Sequence, residues 1–188
     1  MSLKKVCQEG NKWVTFATVG AAVTGLYSSH PGLTRDSIPE YLFFTAIIAF
    51  RVKLYLDDEV FFLSKAEFLT RHFKIGMIFA VASWILIILS ALSIATLDNA
   101  YLFFLFAVAA STLWIVAEAF RIGAYREQNI WVGKNAIYMA ILAFLIWLHP
   151  DQQPIYDWAA LAALLIAIAV DWGLSDPVSK LHQLEAKT

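Results

Sequence analysis

Long apolar stretches dominate this chain, and charged residues interrupt them at only a few points. The clearest run is 75–97, which contains no Asp, Glu, Lys or Arg. Three more follow at 101–117, 132–148 and 156–174, the second of them carrying Lys134 near its start and the third Asp157 and Asp171 near its two ends. A membrane-spanning helix takes roughly 17–25 mostly apolar residues, each rising about 1.5 Å. All four runs fit that length. Two weaker segments lie upstream. Segment 13–28 is moderately apolar and rich in Thr, Gly and Ala. Segment 38–56 opens with Ser37-Ile38-Pro39-Glu40, a capping box with Pro in the first turn, and is then broken by Arg51 and Lys53.

The distribution of positive charge decides whether the weak segments span. Lys and Arg collect in the cytoplasmic loops of membrane proteins. With six spans and a cytoplasmic start, thirteen of the fourteen Lys and Arg residues fall on the inner side and Arg35 alone falls outside. Removing either weak span destroys that alternation. Segment 13–28 has the preceding lysines and short apolar run of a signal peptide, but no A-x-A site follows it, and it reads as a first span. The expected fold is therefore an all-α, polytopic transmembrane bundle of three antiparallel hairpins, 13–56, 75–117 and 132–174, with tails 1–12 and 175–188 in the cytoplasm. The connection 57–74 is charged and amphipathic, and reads either as a helix on the inner surface or as an extension of the second span.

Composition agrees. The chain is 60% hydrophobic and only 15% charged, with mean hydropathy +0.65. Soluble domains run nearer 45–50% apolar and about 25% charged. A chain of 188 residues is too short to hide that excess in a soluble core. Trp13, Trp131, Trp147, Trp158 and Trp172 fall near expected helix ends, where aromatic belts form, while Trp84 and Trp114 lie deeper and are expected to pack between helices. The net charge of −1 gives no basic field for nucleic acid. Cys7 is the only cysteine, so an internal disulfide and a thiolate metal cluster are excluded. It reads as an exposed thiol in a polar tail.

Ionisable residues at membrane depth are costly and are candidates for function. Four stand out toward the inner side: Arg51, Glu118, Arg121 and Asp171. Asp171 continues a small-residue stripe, Ala159, Ala163 and Ala167, whose spacing of four lies on one helix face and lets another backbone come close. The first span carries a similar stripe in Ala17, Ala21 and Gly25. The sharper reading is a cluster of Arg51, Glu118 and Asp171 across helices, lining an inner pathway. The plainer one has the arginines reaching the headgroups, with Glu118 and Arg121 paired three residues apart on one helix. His30 and His149 each precede Pro at an outer helix end and are the weak metal or haem candidates; nothing completes a site around them, and no cofactor is expected. Ala49-Phe50-Arg51 echoes Ala119-Phe120-Arg121, a trace of a parallel hairpin repeat.

No metalloprotease, P-loop or nucleophile-elbow motif occurs. The expected function is a small-solute or ion pathway: a transporter, a channel or a membrane subunit of one. A non-catalytic scaffold or partner subunit is the alternative, and a membrane-embedded enzyme the third. Expected partners are the lipid bilayer, with a second copy or a partner membrane subunit, and the expected location is the plasma (inner) membrane.

Overall fold

The computed structural model describes residues 3–28, 37–64, 71–122, 125–148 and 154–175, with side chains given for 5–28, 37–60, 74–117, 130–147 and 155–174. They form six α-helices: α1 Leu3–Tyr27, α2 Ile38–Ser64, α3 Arg71–Leu92, α4 Leu97–Ile122, α5 Tyr125–Leu148 and α6 Pro154–Ser175. Among the described residues there is no strand. Four helices contain segments long and apolar enough to cross a membrane: Lys74–Leu92, Leu97–Ala117, Ile130–Trp147 and Ile155–Leu174. Large apolar side chains face outward on each of them, among them Ile78, Phe106, Ile137 and Ile166. Water is a poor solvent for such a surface and lipid a good one. The molecule is a membrane protein.

The helices α1 and α2 fall short of that composition for different reasons. α1 opens with Lys4, Lys5, Glu9 and Lys12 and is then diluted by Thr and Gly. α2 carries Arg51, Lys53 and the run Asp57-Asp58-Glu59. It continues to Ser64, so of the two readings for 57–74 the extension holds as far as that residue; 65–70 lie outside the described residues.

Packing follows a closed order, α1–α2–α6–α5–α4–α3 and back to α1, with a lesser contact between α2 and α3. α3 and α4 run antiparallel and are stitched by Ser83 Oγ donating to the Ala107 carbonyl (3.0 Å) and Ser90 Oγ to the Ala100 carbonyl (2.7 Å). Small residues at this seam, Ala91, Ala100 and Ala107, bring the backbones close enough for those bonds. Thr15, Thr18, Thr24, Thr45 and Thr112 each return their hydroxyl to the carbonyl four residues earlier, so no hydroxyl of theirs is stranded in an apolar medium. This order is not that of a three-fold parallel hairpin repeat. Such a repeat sets an even-numbered helix beside an odd-numbered one at every junction, whereas α2 meets α6 and α3 meets α1.

Two sequence expectations need correction. The third apolar run continues to Leu97, with a link expected at 98–100, but α3 ends at Leu92 and Leu97 already opens α4. Residues 93–96 make the turn: Ser93 N donates to the Leu89 and Ser90 carbonyls, and Thr96 N to the Ser93 carbonyl. Ile94 and Leu97 are buried, so the turn is built partly from apolar residues and hydropathy does not see it. The small-residue stripes are also displaced. On α1 the buried positions among the described side chains are Cys7, Asn11, Thr18, Ala21, Ala22, Gly25 and Leu26, while Ala17 faces outward. On α6 the buried face is Ala160, Leu161, Leu164, Ile168 and Asp171. Ala159 is only half-buried, and Ala163 and Ala167 pack at the margin of the core. A period of 3.6 drifts off a strict spacing of four within three turns, which moves the face by about one residue.

Gly25 makes the closest helix approach. A Cβ there would stand 2.5 Å from the Ala91 carbonyl oxygen and 2.8 Å from that of Leu92. Only a residue without a side chain lets α1 lie against the end of α3.

Candidate functional site

One end of the bundle gathers the start of α1, the end of α2, the start of α5 and the end of α6. Here the charges that interrupt α2 turn inward. Arg51 is fully buried. Its Nη2 donates to the Asn11 carbonyl at 2.9 Å and also to the Asn11 side-chain oxygen. Asn11 is held by its own amide, which donates to the Tyr55 carbonyl (3.2 Å). Arg51 Nη1 lies 3.8 Å from Asp58 Oδ2, an ion pair too long for a hydrogen bond, and the guanidinium sits 6.0 Å from the Trp84 ring centroid. One turn further along α2, Glu59 accepts from Gln8 Nε2 at 2.9 Å, tying the two helices again.

Beside this lies a second group. Lys53, 2% exposed, places its ammonium on Asp57, four residues on, and on Asp171 Oδ2 of α6 at 2.7 Å. The other oxygen of Asp171 takes the ammonium of Lys134 from α5. Both ammonium groups stand over the Trp131 ring, at 4.4 and 4.7 Å from its centroid. The aromatic face offers further stabilisation to cations removed from water. Among the described residues, the cations Arg51, Lys53 and Lys134 thus meet the carboxylates Asp57, Asp58 and Asp171. The pairing matters, because an unmatched charge here would cost several kcal/mol.

The inner pair Lys53 and Asp171 is almost sealed, with side chains 2% and 4% exposed, while Lys134 and Asp57 keep 16% and 30% of theirs. The network therefore has a buried centre and a partly open margin. Asp58 lies beyond the 38–56 span, and burial pushes its carboxyl up to about 7 against the opposing pull of Arg51.

Of the residues expected from sequence, Arg51 and Asp171 are both buried at this end, but each has partners other than those foreseen. Arg51 pairs with Asp58, and Asp171 with Lys53 and Lys134. The side chains of Glu118 and Arg121 lie outside the described residues, as do His30 and His149. No group of three His, Cys, Asp or Glu suited to a metal occurs among the described residues. Cys7, expected as an exposed thiol, is buried on α1, and burial raises its pKa.

Sequence reasoning missed Asn11, Lys53, Asp58 and Lys134. A signal for Asn11 was present. Cys7, Asn11, Thr18 and Gly25 fall on one 3.6-residue period, so the helical face of the first span starts within what reads as a polar tail. For Lys53 and Lys134 the signal was their depth: each lies inside an apolar run, as Arg51 does, yet counting them as inner-loop charges hid that.

Comparison with protein-family models, with curated proteins and with solved structures gives no match to this chain.

Proposed function

We propose that this chain is a six-span membrane protein of a small-solute or ion pathway, with both termini cytoplasmic and the charge network in the inner half. The observation that carries the reading is the meeting of Lys53 from α2 and Lys134 from α5 on Asp171 of α6. Three helices spend buried charge on one point. Ionisable groups inside a membrane bundle are costly, and they recur along ion paths and in proton relays. The inward turn of Arg51 and Lys53 also supports α2 as a span: the charges that spoil its composition are kept from lipid, while Leu42 and Val52 face outward. α1 presents Trp13, Phe16 and Val23 outward in the same way. The positive-inside distribution puts the network at the cytoplasmic end, and the plasma membrane is the proposed location.

A scaffold or partner subunit is the second reading. The pairing of Lys53 and Lys134 with carboxylates favours it, since a balanced network also clamps helices together. Flux separates the two. Purified protein in liposomes is challenged with gradients of potassium, sodium, chloride, nitrate and glycerol. The pathway reading expects flux of at least one of them above that of protein-free liposomes, and its loss in Lys53→Met. Wild-type flux no greater than that of protein-free liposomes rejects it in favour of the scaffold.

A further inference from the structure

Arg51 is held by one arm. Its Nη2 carries two hydrogens, and Asn11 of α1 offers two acceptors to them, the backbone carbonyl at 2.9 Å and the side-chain oxygen. Among the described residues, Nε and Nη1 of the same guanidinium are buried without a hydrogen-bond partner, and so is Oδ2 of Asp58, which lies 3.8 Å from Nη1. Buried polar atoms without a hydrogen bond are costly. Three of them on one pair of side chains leave a second, closed position for the guanidinium to take. We propose that Arg51 is a proton-controlled latch between α1 and α2: with a proton on Asp58 the guanidinium stays on Asn11, and without that proton it closes on Asp58 and lets the Asn11 side chain go. Such a latch works alike in a pathway protein and in a scaffold.

Geometry sets the competition. A carboxylate takes a guanidinium end-on through both terminal nitrogens together. Both hydrogens of Nη2 are engaged with Asn11, so Asp58 gains its second bond only by displacing an Asn11 oxygen. Closing needs little movement, from 3.8 Å to the roughly 2.8 Å of a charge-assisted bond. A neutral Asp58 exerts no such pull, and the cation is then held by the Asn11 oxygens and the Trp84 ring. Burial raises the Asp58 carboxyl to about 7, so the two arrangements exchange near neutral pH. The step is a plain ionisation: the O–H bond on Asp58 breaks, the proton passes to water, and its return reverses the change.

The groups around Asp58 leave this choice to Arg51. On α2 itself Lys53, Asp57 and Glu59 act on the carboxyl, each less directly than Arg51 or already engaged: Lys53 with Asp57 and Asp171, and Glu59 with Gln8 of α1. α6 brings Asp171, which Lys53 holds. α1 brings Cys7 and Asn11 on its buried face, and α3 brings Trp84. The described charged residues of α1 and α3 at this end, Lys5, Glu9, Lys12 and Lys74, are exposed. When Arg51 leaves, Asn11 keeps its bond to the Tyr55 carbonyl, but its side-chain oxygen is left to find water, which opens this face of α1. Cys7 lies one turn before Asn11 on that face.

The test reads Cys7, the only cysteine of the chain, by its rate of alkylation with N-ethylmaleimide in the full-length protein in detergent. Only the thiolate reacts, so between about pH 6 and pH 8 a thiol's own rate rises about tenfold per unit. Over the same interval the ionised share of Asp58 climbs from about a tenth to about nine-tenths. The expected result in the wild type is a rise steeper than the thiol's own, by about a further tenfold across the interval. Asp58→Asn should remove that excess. Asn11→Ala, which takes away the α1 half of the latch, should react faster than the wild type already at the lower pH and show only the thiol's own slope. It keeps the test decisive if Asp58→Asn fails to fold. A wild-type slope no steeper than the thiol's own overturns the latch. An excess that persists in either variant overturns it as well, because the opening would then be driven by another group.

Discussion

Asp171 on α6 joins two helices that are distant from each other in sequence, accepting Lys53 of α2 on one carboxylate oxygen and Lys134 of α5 on the other. All three lie within long helices whose outer faces are apolar, so neutralising any one member leaves charge stranded. Removing one partner of a buried pair costs about 3–5 kcal/mol, far more than the pair's net worth against an apolar replacement. Asp171→Asn should therefore lower thermal stability in detergent sharply. Asp171→Leu combined with Lys53→Met and Lys134→Met should recover much of the loss. A single variant as stable as the wild type would show that the lysines reach water or headgroups instead.

Within the α1 stripe, Gly25 makes the sharpest packing prediction. With 2.5 Å from a new Cβ to the Ala91 oxygen, Gly25→Ala must push α1 away from α3. Overpacking of that kind costs about 1–3 kcal/mol. Ala160→Leu, on the buried face of α6, should cost a similar amount, whereas Ala17→Leu should stay within about 0.5 kcal/mol. Thermal melts of the three variants check the order, and an Ala17→Leu penalty as large as that of Ala160→Leu would reverse the assigned faces.

Asp58 sets a pH dependence whose sign is fixed. Its folded carboxyl is raised to about 7 from an ordinary value of 3.8. The folded state therefore holds the proton more tightly than the unfolded chain does, and the group's contribution to stability is full below about 4 and is lost as pH rises through about 7. Melting temperature should fall between those limits in the wild type, and the slope should flatten in Asp58→Asn. A melting temperature that climbs over the same interval contradicts the assignment.

Topology is tested by reporter fusions. Fusions at Ser29, Asp98 and Gln152 should report the outside, and those at Lys65, Gln128 and the C-terminus the cytoplasm. An external C-terminus breaks the six-span arrangement.

The four apolar helices could be read from sequence because each depends on a run of side chains that lipid accepts, and hydropathy measures that directly. The turn at 93–96 could not, because Ile94 and Leu97 are buried against the core and look like more of the same run. Arg51 and Asp171 stood out as charges in apolar surroundings. Their partners did not follow, since the packing order of the helices is set by contacts between residues far apart in sequence. Nothing local shows that α2 lies beside α6. Glu118, expected in the cluster from another helix, lies outside the described side chains; among those described, α5 reaches Asp171 through Lys134. Asp58 falls in the charged, amphipathic connection that follows the second expected span, yet the helix carries it to the inward face seven residues after Arg51, two turns along the same side.

The central claim is that Lys53 and Asp171 meet inside the bundle, and a double-mutant cycle measures it most directly. Stability is taken for the wild type, Lys53→Met, Asp171→Asn and the double variant in the same lipid or detergent. Residues in contact within one charge network show coupling of about 0.5–3 kcal/mol, while separated sites add to within about 0.5 kcal/mol. The predicted result is a double variant markedly more stable than the sum of the single losses allows. Additive losses would mean that α2 and α6 do not bring these two side chains together.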